Sequence, residues 1–314
     1  MSADRPRVVL VGLGPTTGDA LAGLLAGTEV VALVRPGDDE VVAAARAAAV
    51  PVVDDDRIAA VRDVLARTRP DCVVVSSFHR ILPADLVEAW PFVNVHYAPL
   101  PRLRGRATVN WAIINGETEA TISVHRLVPG LDAGGILFAE RVPIGPRSTV
   151  GEVYADLNRL QRSALPTAVR AVLAGDEGVP QDESAATYAC TRVPEDGEID
   201  WTAGTLQIDR LVRALGPPFP GAFSWLGLDQ LVVVRAEPAP DPARWEGRVP
   251  GRVVRVDRDR GAVDVLTGDG VLRLWELSTP GAPARPAAEL VRSVRATLGL
   301  RSTDLVRRLR ELGG

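Results

Sequence analysis

The chain has 314 residues, 46% of them apolar and 24% charged, with a formal net charge of -4. That length supports one large or two modest domains with a substantial core, two being the default, and the acidic balance argues against a strongly nucleic-acid-binding surface. No run approaches the roughly 20 apolar residues that a membrane helix needs, and Met1-Ser2-Ala3-Asp4-Arg5-Pro6-Arg7 lacks the apolar core of a signal peptide.

Two cysteines, Cys72 and Cys190, give neither a disulfide framework nor metal-ligand spacing, which fits a reducing cytoplasm. All 36 basic residues are arginine, so no lysine is present to form a Schiff base. Residues 201–314 carry 17 Arg against 13 Asp and Glu, and residues 1–200 carry 19 against 27, so the C-terminal part is mildly basic only.

Arg7 to Gly18 reads as a buried strand, a glycine turn and the start of a helix over Asp19 to Ala26. A Gly12-x-Gly14 turn before a helix suits an anion, because backbone N-H groups point outward there. Against a dinucleotide fingerprint, Thr17 stands where its third glycine would be, and the strand Val30 to Val34 ends in Arg35 instead of an acid. A tight packing turn is the competing reading. Asp39 to Ala49 and Arg57 to Arg67 are helical, Pro51 to Val53 is a short strand, and Cys72 to Val75 is a buried strand of parallel-sheet type. Ser76 to Pro83 follows as a loop, in which His79 reads as a surface residue.

The stretch around which the chain is organised is Phe92-Val93-Asn94-Val95-His96-Tyr97-Ala98-Pro99-Leu100-Pro101, followed by Arg102-Leu103-Arg104-Gly105-Arg106. With a rise of ~3.3 Å per residue and alternating faces, Asn94 and His96 share one face, close enough to reach the same small group. Polar side chains at two same-face positions of an apolar strand are costly to bury without partners. Pro99 and Pro101 stop the strand, so the pair sits at a carboxyl end, where open α/β sheets bind ligands. Arg106 to Asn115 then reads as a helix, Ile122 to Arg126 as a strand, and Gly135 to Ile144 as the next strand. The turn-rich Pro129-Gly130-Leu131-Asp132-Ala133-Gly134-Gly135 lies between these strands. His125 is read as a sheet residue, structural or exposed.

Val150 to Leu173 has helical periodicity. Glu195, Asp196, Glu198 and Asp200 form an acidic run with no histidine nearby, which disfavours a metal site. After helix-like Leu206 to Leu215, short β runs over 223–228, 231–236, 251–256, 262–266 and 271–277 suggest a small barrel. Ala287 to Leu298 and Ser302 to Leu312 read as terminal helices.

Taken together, Asn94-x-His96, Leu100-Pro101-x-x-Arg104-Gly105 and Leu131-Asp132-Ala133-Gly134-Gly135 resemble the family that transfers a formyl group from 10-formyltetrahydrofolate to an amine. The wording is nearest to the type that formylates UDP-4-amino-4-deoxy-L-arabinose, with methionyl-tRNA formyltransferase a near relative. The resemblance runs from about Val73 to about Phe223. It implies a Rossmann-like α/β catalytic domain with a mostly parallel sheet over residues 1–200, and a small OB-like β-domain with terminal helices over 201–314. It implies further that Arg80, Ile81 and Leu82 hold the pterin ring, largely through backbone groups, with Val128, Pro129 and Leu131 also on the folate.

Formyl transfer creates an oxyanion and releases a proton from nitrogen, so three jobs follow. Asn94 suits the oxyanion, His96 suits proton transfer, and Asp132 orients the imidazole, stabilises its cation or acts through a water. For the acceptor, Tyr97, Arg104, Gly105 and Arg106 line the expected pocket, and the amides after Gly12 and Gly14 suit a phosphate. Relatives commonly read Ser-Leu-Leu-Pro over Ala98 to Pro101 and Pro at Thr108, and because this loop lines the acceptor pocket the resemblance does not carry the identity of the acceptor. The leading expectation is a cytoplasmic enzyme that formylates a small-molecule amine, such as an amino-sugar nucleotide, without a metal. The alternatives are a tRNA acceptor and, from another class, a dinucleotide-binding oxidoreductase; a homodimer stays open.

Overall fold

The computed structural model describes residues 5–14 and 16–313; residues 1–4, read above for a leader, and Pro15 of the glycine turn lie outside them. Two compact units emerge. One comprises the chain up to Val109 with Thr118–Ile144 and Glu152–Thr191; the other comprises Asn110–Glu117, Gly145–Gly151 and the chain from Arg192 onward.

Up to Thr191 the elements are β1 (Arg7–Val11), α1 (Thr17–Gly27), β2 (Glu29–Val34), α2 (Glu40–Ala47), β3 (Val52–Val53), α3 (Ile58–Thr68), β4 (Cys72–Ser76), α4 (Ala84–Ala89), β5 (Phe92–His96), β6 (Arg104–Gly105), α5 (Thr108–Asn115), β7 (Glu119–Arg126), β8 (Ile136–Pro143), α6 (Val150–Leu173) and β9 (Tyr188–Ala189). The sheet of the first unit has the order β3-β2-β1-β4-β5-β7-β8. It is parallel from β3 to β5, and β7 and β8 add antiparallel pairs. This is the Rossmann-like, mostly parallel arrangement, and its strand order reverses between β1 and β4.

The apolar character of the central strands follows from their place. Val8 to Val11 and Cys72 to Val74 are fully buried, and one face of the sheet packs Val9, Val11, Val73, Val75 and Phe92 against Val61, Val64 and Leu65 of α3. Asp39 caps α2, its carboxylate accepting from the amides of Val41 and Val42. Helix α5 begins at Thr108 instead of Arg106, because Leu103 (φ +58°) and Ala107 (φ +59°) take left-handed backbone.

The second unit contains α7 (Thr205–Leu215), β10 (Ala222–Leu226), β11 (Asp229–Pro238), β12 (Val253–Asp257), β13 (Ala262–Leu266), β14 (Val271–Ser278), β15 (Arg285–Pro286), α8 (Ala287–Leu290) and α9 (Ser302–Gly313). Its sheet is antiparallel, in the order β10-β11-β14-β13-β12 with β15 on β14, which is the OB-like domain that the resemblance implied. Trp201 is buried in its core as a packing anchor and donates to Ser224 Oγ at 2.8 Å. The expected helix over Ala287 to Leu298 stops at Leu290. Beyond it the Ala296 carbonyl accepts from Val253 and the Leu298 amide donates to Gly251, so this segment is pinned as extended chain with Val291 and Leu298 buried. Among the described residues no helix is long and apolar enough to cross a membrane.

Candidate active site

The carboxyl end of β5 carries Asn94 and His96 on one face. Strand β7 pairs antiparallel with β5 in a register that sets His125 opposite Asn94 and Ser123 opposite His96. Directly opposed residues share a face, so three polar side chains converge. Asp132, on the loop between β7 and β8, completes the group and is 8% exposed.

Its two carboxylate oxygens divide the neighbours. Oδ1 accepts from Asn94 Nδ2 at 3.3 Å and lies 3.6 Å from His125 Nε2; Oδ2 accepts from the Gly105 amide at 2.9 Å and lies 3.7 Å from His96 Nδ1. His96 Nε2 donates to the Leu103 carbonyl at 2.8 Å, which leaves Nδ1 as the unprotonated nitrogen of the neutral ring. His125 Nδ1 donates to the Arg126 carbonyl at 2.7 Å, so its Nε2 accepts from Asn94 Nδ2 at 3.0 Å. Both hydrogens of the Asn94 amide are thereby used, one on His125 and the longer one on Asp132.

Burial pushes the His96 pKa below its ordinary 6.5, and Asp132, which favours the charged ring, does not fully offset it. Burial acts on Asp132 in the opposite sense, but His125, His96 and the Gly105 amide together hold its carboxyl at about 2. The site therefore combines a neutral imidazole with an ionised carboxylate. Of the four side chains, Asn94 alone is more than marginally exposed, so the cluster opens on its side.

Gly134 explains the repeated glycine of the 132–135 loop, since a Cβ there would collide with the Arg126 carbonyl. The loop thus lies close against the end of β7, and Asp132 itself has φ +49°.

The expected folate residues lie on two loops of the first unit. Ile81 is 88% and Leu131 53% exposed, Leu82 and Val128 are partly buried and Pro129 is exposed. Arg80 pairs with Asp56 at 2.8 Å, and His79 also faces Asp56, at 3.7 Å. Among the described residues no backbone hydrogen bond engages Ile81 or Leu82. Unspent amide groups beside exposed aliphatic side chains fit a flat, hydrogen-bonding heterocycle such as a pterin.

Several expected acceptor contacts are corrected. The amides of Leu13 and Gly14 both donate to the Ser77 carbonyl and that of Gly12 to Val34, so none is free for an anion. Arg35 closes the turn from the other side, donating to the Gly12 and Gly14 carbonyls at 3.2 Å each. Gly12, Leu13 and Gly14 thus form a packing turn whose amides are turned to protein partners. The Tyr97 hydroxyl is buried between Asn158 Oδ1 (2.6 Å) and Gln161 Oε1 (3.0 Å). Arg104 is 2% exposed and grips Glu183 at 2.6 and 2.8 Å, so it braces the chain and does not face an acceptor. Gly105 serves Asp132, and Arg106 is exposed.

Sequence reasoning missed His125 as a member of the cluster; its place depends on the β5–β7 register. In the acidic run, Asp196 accepts from the Val193 amide, Asp200 from Thr202 and Glu198 from Trp225, so these carboxylates cap local turns and contacts.

Comparison with known proteins gives the family. Residues 40–169 match the family model of the formyl transferases, and residues 192–295 match that of the formyl transferase C-terminal domain. A methionyl-tRNA formyltransferase of Geobacter sulfurreducens is 34% identical over 242 residues, covering 76% of this chain and 74% of that protein. Among solved structures, HypX from Aquifex aeolicus superimposes with a TM-score of 0.68 at 19% identity; the alignment covers 93% of this chain but 49% of HypX, so the chain spans about half its length. The sugar 3N-formyltransferase WlaRD gives 0.60 at 14% identity, with 90% of this chain and 100% of that one covered. The chain belongs to the formyl transferase family and is a folate-dependent formyl-transferring enzyme of two family domains.

Proposed function

We propose that this enzyme moves the formyl group of 10-formyltetrahydrofolate to the amine of a small molecule, with Asn94, His96 and Asp132 as its catalytic residues. One observation carries the reading: a buried His96 with Nε2 committed to Leu103 and Nδ1 free beside the ionised Asp132. Arg80, Ile81, Leu82, Val128, Pro129 and Leu131 would hold the folate, which supplies the formyl carbon.

His96 Nδ1 takes the proton that the attacking amine must lose, Asp132 at 3.7 Å stabilises the resulting imidazolium, and the proton passes to the folate nitrogen as its bond to the formyl carbon breaks, which returns His96 to its neutral form. Asn94 donates to the formyl oxygen as negative charge develops there. Its hydrogen on Asp132, held at 3.3 Å, is the weaker of its two bonds and the one to exchange. That exchange removes a donor from Asp132 and strengthens its hold on a protonated His96, which couples the two halves of the reaction. His125 acts through Asn94 by fixing the orientation of its amide.

The small-amine acceptor draws support from the C-terminal unit. Of 17 arginines after residue 200, Arg213, Arg235, Arg255, Arg273, Arg285, Arg307 and Arg308 are in ion pairs, which depletes a surface that would otherwise grip phosphates. The identity to a methionyl-tRNA formyltransferase favours the second reading, a charged tRNA acceptor. Incubation with 10-formyltetrahydrofolate, an amino-sugar nucleotide panel and charged initiator tRNA in competition at physiological salt, with formyl addition read by mass, tests both. Formylation of the tRNA alone promotes the second reading, and formylation of neither sinks the catalytic assignment.

A further inference from the structure

The residues between α6 and the end of β9 form a strap over the site, and apolar burial does not hold it: Val179 is 68% and Tyr188 66% exposed. Its attachments are polar. Val179 and Ile136 exchange backbone hydrogen bonds at 2.9 Å. Gln181 Nε2 donates to the carbonyls of Asp132 (2.7 Å) and Gly134 (2.8 Å), and its Oε1 accepts from Arg104 Nη2 at 2.8 Å. The Thr187 hydroxyl accepts from the Leu103 amide at 3.0 Å, and the Thr187 carbonyl accepts from the Arg104 amide at 2.8 Å.

Two of these anchor points share a property. Asp132 (φ +49°) and Leu103 (φ +58°) are non-glycine residues in left-handed backbone. Such conformations are costly for non-glycine residues and persist only where surrounding structure over-determines them. One residue bears the carboxylate and the other presents the carbonyl that fixes His96. Gln181 and Thr187 of the strap therefore meet the backbone where the site is strained.

We propose that Gln181 and Thr187 are positioning residues, which hold Asp132 and Leu103 in left-handed backbone and so set the separation and orientation of the His96–Asp132 pair. Arg104, locked on Glu183, orients the Gln181 amide so that both its hydrogens face the Asp132 loop. The inference rests on the roles proposed above for His96 and Asp132.

The test uses Gln181→Leu, which fills similar space without charge and cannot donate, and Thr187→Val, which removes the hydroxyl. Both should lower kcat by about 10- to 100-fold, the scale of a misplaced reacting group, and change KM for the folate far less. The deciding readout needs no turnover. The chain has three histidines, so selective isotope labelling resolves the titration of His96 by NMR. The groups facing His96 are Asp132 and His125. As Asp132 withdraws, the His96 midpoint should fall by about half a pH unit or more. An unmoved or raised His96 midpoint in both folded variants overturns the proposal, whatever happens to kcat. A lowered midpoint in a protein that formylates no amine would uphold the strap and sink the formyl-transfer reading.

Discussion

Two strand ends of the first unit, one on either side of β4, look alike in sequence and differ in what they can do. Strand β1 runs into Gly12-x-Gly14 beside a helix start, and β5 runs into Asn94-x-His96 beside prolines and glycine. At the first, the turn's own groups are spent: the amides of Gly12, Leu13 and Gly14 go to Val34 and Ser77, carbonyls accept from Arg35, and the Thr17 hydroxyl donates to the Ser76 carbonyl at 3.1 Å. At the second, polar groups face one another with capacity to spare, a free imidazole nitrogen and a long, exchangeable hydrogen bond. Both ends lie where ligands bind in open α/β sheets. Spare hydrogen-bonding capacity, not position or glycine content, separates a site from a hinge of the packing.

The largest way to break this contrast is to exchange the consequences. His96→Ala should lower kcat by roughly 10²- to 10⁴-fold, the usual range for a lost acid–base group, with the folate Kd within a few fold. Turnover within tenfold of the parent would remove His96 from the chemistry. Gly12→Ala should do the reverse. Its Cβ would collide with the Ser76 carbonyl and the Thr17 side chain, costing roughly 1–3 kcal/mol of stability. Calorimetry should show a lowered Tm, and the folded fraction should keep near-parental specific activity. A large loss of acceptor affinity with unchanged Tm would restore the anion-binding reading of the turn.

How much of this was legible beforehand follows the range of the interactions. Continuous apolar runs gave away β1, β4 and β5, and the prolines after His96 put Asn94 and His96 at a strand end. His125 is the sheet residue it was read as, but its contact with Asn94 was missed because it depends on a strand register 31 residues away. Arg104 looked like an acceptor contact because an arginine beside glycine near a site reads as exposed. Its partner Glu183 lies 79 residues on, in a segment without periodicity, and no local signal announces the pairing. Helix α8 was overextended because Ala287 to Leu298 has helical spacing, while the hydrogen bonds that pin its second half are to Val253 and Gly251. The glycines of the 132–135 loop were visible as a motif, but their causes, the approach of Gly134 to the Arg126 carbonyl and of Gly135 to the Glu177 carbonyl, were not.

A smaller effect concerns pH. His96 acts as a base only when neutral, and burial lowers its pKa below 6.5. Activity should therefore rise with pH through a midpoint below 6.5, and the enzyme should retain turnover in mildly acidic buffer where an exposed histidine would be protonated. The same depression links to stability: the contribution is complete above the unfolded value of about 6.5 and is lost as pH falls through the lower folded value. In the kcat profile, Asp132→Asn should move the acid limb further down, since the carboxylate is what favours the charged ring. An acid limb at or above 6.5 in the parent would mean that His96 is not the titrating base.

The smallest effect falls on Arg106. Around the mouth of the cluster Arg104 is buried on Glu183, whereas Arg106 is exposed and, among the described residues, makes no ion pair. It is the arginine whose guanidinium has capacity left for an incoming phosphate. A single exposed charge contact in water is worth about 1 kcal/mol or less and is screened by salt. For a small phosphorylated amine, Arg106→Ala should raise the acceptor KM up to about fivefold and leave kcat unchanged, with the difference shrinking as salt is added. Arg104→Ala, by contrast, should lower kcat through Gln181 and spare the acceptor KM. If Arg106→Ala leaves KM untouched at low salt while Arg104→Ala raises it, the spent and the spare arginine have been assigned the wrong way round. The acceptor would then enter from the strap side of β6.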